Sequence, residues 1–312
     1  MDIESIVKKA LEEDIGTGDI STDAMMRCIG QGNTTVKAVI IAKGEGILCG
    51  IDVAKLVFCT LDPDIEFDAA KDGDDIIPYQ KVAKIKGSTR AILSGERVAL
   101  NFLSHLSGVA TLTRRFAKEI EGTRAKLLDT RKTTPLLREL EKYAVKVGGG
   151  ENHRFGLYDA ILIKDNHLKV VHGIENLTID KPFEVEVKNL DEFKVALKLP
   201  NVKRIMLDNM GIKDIKKAVE IRDRLPITGY RLPELEVSGR VKIENIREIA
   251  KTGVQYISIG TITHSAPVVD MSLEIVEKRE EGREKREKGR EKREEGKGKG
   301  EERRGMRDGN GV

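Results

Sequence analysis

The sequence predicts an α/β protein whose larger part is built from strand–helix units. Three observations carry this. From about residue 125 short apolar runs recur, with helical patterns between most of them, the rhythm of βαβ units around a parallel sheet. The first hundred residues have a different texture, mixing β-branched strands with amphipathic helices. After Glu274 the composition collapses into Lys, Arg, Glu and Gly with no apolar stripe, so that segment packs no core. Six strand candidates in about 140 residues favour a small barrel, with a doubly wound open sheet as the alternative.

The elements follow in order. Ile3, Ile6, Val7, Ala10 and Leu11 recur at helical spacing, predicting a helix over 3–13. Asp14-Ile-Gly-Thr-Gly-Asp19 ends it with two glycines. Residues 34–42 are rich in β-branched side chains and read as a strand, 50–61 as a helix, and 82–86, alternating apolar and basic, as a half-buried strand. A long helix is expected from about 94 to 121, with a candidate break at Ser107-Gly108. Strands are then predicted over 125–128, 160–163, 183–187, 204–207, 235–237 and 256–259, and helices over 134–147, 190–197, 212–224 and 243–251. The stretch 226–233 is long for a connection and blurs the start of the fifth strand.

Composition removes several classes of function. The chain of 312 residues is long enough for one or two domains. No apolar run approaches a membrane span, and residues 1–14 lack the apolar core of a secretory signal, so a cytoplasmic protein is expected. Cys28, Cys49 and Cys59 fit no zinc spacing, and three is an odd number for a disulfide framework. The net charge is +3, and residues 276–312 hold all of it, with 14 basic and 11 acidic side chains. Such a mixed tail makes a poor nucleic-acid arm. In the balanced body, any cationic site must come from local arrangement.

In barrels and open sheets alike, ligands bind at the C-terminal ends of the strands. Polar residues cluster there: Asp129-Thr-Arg131-Lys132, Lys164-Asp-Asn-His167, Glu186, Asp208-Asn209, Ser238-Gly239 and Gly260. Arg131, Lys132, His153, Arg154 and Lys164, with Arg97 on a helix elsewhere, suit a multiply anionic substrate. One such residue alone is more simply a solvated surface charge; several at strand ends tilt the reading toward a site. Glu186 and Asp208 are placed to hold Mg²⁺ or a ribose hydroxyl, or simply to pair with a lysine. Ser238-Gly239 and Gly260-Thr261 follow late strands, where barrels often hold a phosphate on backbone N–H groups. His105 reads as a satisfied core or packing residue in an apolar helix. His172 and His264 lack obvious partners, and His167 reads as a loop hydrogen-bonder.

Taken together the motifs resemble one family. They are Gly95-Glu-Arg-Val-Ala-Leu-Asn-Phe-Leu103, Asp129-Thr-Arg-Lys-Thr-Thr-Pro135, Val147-Gly-Gly-Gly-Glu-Asn-His-Arg154, Ile161-Leu-Ile-Lys-Asp-Asn-His167, Glu184-Val-Glu-Val187, Met206-Leu-Asp-Asn209, Val237-Ser-Gly239 and Ile257-Ser-Ile-Gly260. In this order they resemble the signature segments of quinolinate phosphoribosyltransferases, over about residues 6–273. The resemblance implies an N-terminal α/β sandwich (1–107, with 265–275 completing it) packed on an incomplete α/β barrel (108–264), followed by the charged tail 276–312. It implies transfer of phosphoribosyl from 5-phosphoribosyl-1-diphosphate (PRPP) to quinolinate with decarboxylation, in NAD biosynthesis, with Mg²⁺ as cofactor. A homodimer with shared active sites is implied, with further assembly into a hexamer left open. By the same resemblance Arg131, His153, Arg154 and Lys164 would bind quinolinate, and Arg97 would enter from the partner subunit. Lys132 would contact diphosphate, Glu186 and Asp208 the ribose and Mg²⁺, and Ser238, Gly239 and Gly260 the 5-phosphate. Arg240 departs from the usual small residue; it is a candidate further phosphate contact, with a solvent-facing side chain slightly favoured.

Overall fold

The computed structural model describes residues 2–28, 34–225 and 232–276. In the first part these are helices α1 (Ile3–Ile15) and α2 (Ile20–Cys28), strands β1 (Thr35–Ala42) and β2 (Gly46–Ile47), α3 (Ile51–Leu61), β3 (Glu66–Ala69), β4 (Asp75–Ile76), β5 (Lys81–Ser88) and α4 (Thr89–Glu119). Then follow β6 (Lys126–Leu128), α5 (Arg138–Val147), β7 (Ile161–Ile163), α6 (Asp165–Val170), β8 (Phe183–Val187), α7 (Leu190–Ala196), β9 (Val202–Asp208), α8 (Ile212–Asp223), β10 (Glu234–Ser238), α9 (Ile243–Ala250), β11 (Tyr256–Ser258), α10 (Thr261–His264) and β12 (Met271–Ile275).

The N-terminal part is an antiparallel sheet in the order β12-β1-β5-β3. The last strand of the described chain therefore returns to pair with the first, Ile40 opposite Leu273. Helices α1, α3 and α4 bury Val7, Val57, Phe58 and Leu103 in its core. Local chemistry fixes the helix starts. Asp2 accepts the Ser5 N–H to cap α1, and Asp72 accepts the Gly50 and Ile51 N–H groups at the start of α3. Cys49 is buried and the described cysteines are all free.

The second part decides between the two sheet types. Its six strands are parallel, in the order β6-β11-β10-β9-β8-β7. Successive strands β7 to β11 are neighbours, and β11 pairs with β6, the first. A doubly wound sheet would reverse its order at a switch point; a sheet that returns its last strand to its first is a barrel. It is incomplete, since β6 and β7 both end the ladder. Side chains alternate along each strand, so the interior is layered. Glu184, Arg204 and Glu234 share one register level, Glu186, Met206 and Glu236 the next, and Asp208 and Ser238 the rim.

The predicted elements are found with small shifts at their ends, and two differences have clear causes. Helix α4 runs unbroken through Ser107-Gly108. A Cβ at Gly108 would lie 2.3 Å from the Pro267 carbonyl oxygen, so the glycine serves close packing of the returning chain and does not break the helix. The helix expected from 134 begins only at Arg138, because Pro135 and Leu136, with φ of 69°, hold a loop. Helices α2, α6 and α10, strands β3 and β12 and the short pair β2–β4 went unpredicted. The charged tail from residue 277 and most of the 226–233 stretch lie outside the described residues. The fifth barrel strand begins at Glu234. Among the described residues, no helix is long and apolar enough to cross a membrane.

Candidate active site

A cavity of about 540 Å³ opens at the C-terminal ends of the barrel strands. Arg131, Lys132, His153, Arg154, Lys164, Glu186, Asp208, Ser238, Gly239 and Gly260 all line it. Leu162, Met206, Val241 and Ile259 supply apolar wall. Two expected residues are elsewhere. Arg97 is an exposed residue of α4 and does not line this cavity, so within one chain it belongs to no part of the site. Arg240 does not line it either. It is exposed, with φ of 53° in the turn after β10.

The cations sit against β6 and β7. Arg131 and Lys132 ride the loop after β6, and Arg154 the loop before β7. Arg154 donates Nη1 to the Ala160 carbonyl at 2.9 Å. Buried Nε atoms of both Arg131 and Arg154 have no hydrogen-bond partner. Leaving such a donor unmade is costly. Burial, followed by the positive charge of Arg131, lowers the Arg154 pKa. Two half-buried arginines on one cavity wall suit a polyanion.

Across the cavity stand Glu186, from β8, and Asp208, from the end of β9. Burial first, then the nearby Asp208 charge, raises the Glu186 pKa. Lys164 is 3.9 Å from Glu186 and offsets this only in part. A cation between the two carboxylates would relieve their repulsion, and oxygen donors of this kind suit Mg²⁺. Asn209 donates Nδ2 to Asp208 Oδ2 at 2.7 Å, holding that carboxylate at the rim. Gly239 faces Asn209 with φ of 85°, and a Cβ there would lie 2.4 Å from Asn209 Oδ1. Only glycine allows this turn to approach so closely.

His153 is tightly held. It lines the cavity, but both ring nitrogens are engaged within the protein. Nδ1 accepts the Arg154 backbone N–H at 2.7 Å, and Nε2 faces Glu184 at 3.1 Å and Glu236 at 3.6 Å. These contacts fix the orientation of the ring in the cavity wall, beside Arg131, Arg154 and Lys164. Beneath it lies a buried charge cluster. Arg204 contacts Glu236 at 2.9 Å and stacks 3.8 Å from the Tyr256 ring centre, and Ser258 donates to Glu236. Burial disfavours a charged imidazole, but Glu184 and Glu236 outweigh it and raise the His153 pKa to about 9. Burial and then Glu236 raise Glu184 as well. Burial would also raise Glu236, yet His153, Arg204 and Ser258 outweigh it and lower it.

Other residues escaped the sequence reading. His264 lines the cavity, with Nε2 3.2 Å from where a Gly260 Cβ would stand; its position four residues after Gly260 was the available signal. His105 is a satisfied packing residue, its Nε2 meeting Glu141 at 2.8 Å. His167 accepts the Lys164 N–H at 2.9 Å and is structural. Glu236 is fully buried between Leu235 and Val237. A charge inside an apolar strand was the hint of a polar barrel interior.

The family models for the quinolinate phosphoribosyl transferase N-terminal and C-terminal domains match residues 19–107 and 109–274. The chain belongs to the quinolinate phosphoribosyltransferase family. A relative named probable nicotinate-nucleotide pyrophosphorylase (carboxylating), from Methanocaldococcus jannaschii, is 42% identical over 283 residues, covering 87% of this chain and 96% of its own. The crystal structure of the nicotinate-nucleotide pyrophosphorylase from Ehrlichia chaffeensis has a TM-score of 0.80 at 38% identity, covering 88% of this chain and 99% of that one. A human nicotinic acid phosphoribosyltransferase structure shares the fold alone, with a TM-score of 0.57 at 13% identity over 84% of this chain and 74% of that one. The family's two domain models thus meet inside α4, the helix that serves both the sandwich and the barrel.

Proposed function

We infer that this phosphoribosyltransferase transfers phosphoribosyl from PRPP to the ring nitrogen of quinolinate, releasing diphosphate and carbon dioxide and forming nicotinate mononucleotide for NAD biosynthesis. The observation that carries the substrate reading is the convergence of Arg131, Arg154 and Lys164 on one cavity. A monocarboxylate would satisfy one guanidinium; a dicarboxylate satisfies both, with Lys164 beside them. Leu162 and Met206 offer apolar wall to the pyridine ring.

The pyridine nitrogen is the nucleophile, so the protein's task is mainly to hold it in line with the anomeric carbon. Glu186 and Asp208 face the ribose, where their charge favours an oxocarbenium-like transition state. Lys132 stands over the departing diphosphate, and Ser238, Gly239 and Gly260 present backbone to the 5-phosphate. His264, beside Gly260, joins that end. Mg²⁺, held by Glu186 and Asp208 directly or through water, would neutralise diphosphate charge. Loss of the 2-carboxylate follows ring alkylation: the C–CO₂ bond breaks, the pyridinium stabilises the electron pair left on carbon, and that carbon takes up a proton.

The exposed Arg97 enters this reading as a residue offered to the cavity of a second subunit, which makes a homodimer the working unit. A cytoplasmic location goes with the soluble substrates. Calorimetric titration tests the acceptor reading. Quinolinate is expected to bind at least about tenfold more tightly than nicotinate, or 1.4 kcal/mol. Equal affinities would refute the two-guanidinium account.

A further inference from the structure

One face of α5 holds both loops that carry the cavity's arginines. Arg138, Glu141 and Lys142 lie at i, i+3 and i+4, so they project together. Lys142 is fully buried. Its Nζ donates to Asp129 Oδ1 and, at 3.0 Å, to the His153 carbonyl. Asp129 Oδ1 also accepts the His153 N–H at 2.9 Å, so the pair grips that residue's amide from both ends. With its amide nitrogen toward Asp129, Asn152 adds a bond to Oδ2 at 2.8 Å. Arg138 bridges the same two loops. It donates to Thr133 Oγ1 at 3.0 Å and to the Phe155 carbonyl at 3.1 Å, with a longer 3.5 Å contact to the Arg131 carbonyl. Glu141 is buried, accepts the Thr134 N–H at 3.1 Å and ties the assembly to His105 of α4.

None of these side chains lines the cavity. They connect residues on either side of Arg131 and Arg154 to a single rigid helix. We propose that Lys142 with Asp129, assisted by Arg138, sets the spacing of Arg131 and Arg154 and thereby determines affinity for the dicarboxylate acceptor. They are positioning residues, and the inference rests on the acceptor reading given above.

The donor side is anchored separately. The Lys132 carbonyl accepts the Thr263 hydroxyl at 2.6 Å, from α10, and Gly239 is braced by Asn209. Loosening α5 should therefore disturb one substrate and spare the other. A general loss of folding would not discriminate between them.

The test measures steady-state constants for both substrates in full-length Lys142→Met, in the double variant Asp129→Asn/Lys142→Met, and in Arg138→Met. The KM for quinolinate is expected to rise about tenfold or more in Lys142→Met, with the PRPP KM within about twofold, as loss of ground-state acceptor binding would give. The double variant removes both charges together, which avoids leaving Asp129 as an uncompensated buried carboxylate. It should keep the split, because the bond to the His153 carbonyl is still missing. Arg138→Met is half-buried and serves if the buried variants fail to fold; a rise of about threefold in quinolinate KM alone is expected there. Equal changes in both KM values, or none, in folded variants overturn the inference while wild-type turnover stands. A wild type without quinolinate turnover overturns the acceptor reading and the inference with it.

Discussion

Replacing Gly239 by alanine tests the phosphate-end geometry with a single methyl group. The residue sits at φ of 85°, and its Cβ would fall 2.4 Å from Asn209 Oδ1 and 2.6 Å from Cγ. A left-handed backbone costs an L-residue about 1–2 kcal/mol. Asn209 must also swing away and give up its 2.7 Å bond to Asp208, worth about 1 kcal/mol. The combined disturbance, about 2–3 kcal/mol, corresponds to a factor of roughly 30–150 in rate or affinity. Both components act where the donor binds. The expected result is a fall of at least about 30-fold in kcat/KM for PRPP, with the quinolinate KM within about threefold. Thermal unfolding should fall by about 4–12 °C, at roughly 2–4 °C per kcal/mol. Gly44→Ala is the control, since its Cβ would meet only Val269 at an ordinary 3.7 Å. A Gly239→Ala enzyme with kcat/KM for PRPP within about twofold of wild type would refute this geometry, as would an equal loss in the control.

Further outcomes follow from other residues. Lys132→Ala should lower kcat by about a hundredfold or more with little change in thermal unfolding, because its anchoring contact is through the main chain; a folded, fully active variant would remove it from the mechanism. Glu186 has a raised folded pKa from burial and then Asp208, so wild-type stability falls as pH rises above the ordinary carboxylate range, where the unfolded chain ionises first. Glu186→Gln should therefore unfold at a higher temperature than wild type at pH 7 and at the same temperature at pH 4, while losing most activity; a lower melting temperature at pH 7 would contradict the sign. Mixing inactive Arg97→Ala and Lys132→Ala proteins under subunit exchange should restore part of the activity, since one hybrid site regains both residues; no recovery in verified hybrids would place Arg97 outside the site.

Much of this was legible in the sequence because the barrel speaks through period and position. Phe183-Glu-Val-Glu-Val187 alternates, so Glu186 had to share a face with Glu184. Asp208 and Ser238 end their strands and therefore reach the rim together. What escaped depends on contacts distant in the chain. How the His153 ring is held turns on Glu184 and Glu236, 31 and more residues away. Lys142 looks like any helical lysine until Asp129 is seen beside it. Gly108 resembles a helix breaker because its reason, the Pro267 carbonyl, comes from the returning chain. The choice between barrel and open sheet needed the pairing of β11 with β6, which no local pattern encodes.

The most direct test of the central claim is turnover by the purified protein with Mg²⁺ and PRPP, comparing quinolinate with nicotinate as acceptor. The account predicts nicotinate mononucleotide and an equal amount of carbon dioxide from quinolinate, and no product from nicotinate. Turnover of nicotinate alone would contradict the dicarboxylate reading of Arg131 and Arg154, and turnover of neither acid would contradict the catalytic account as a whole.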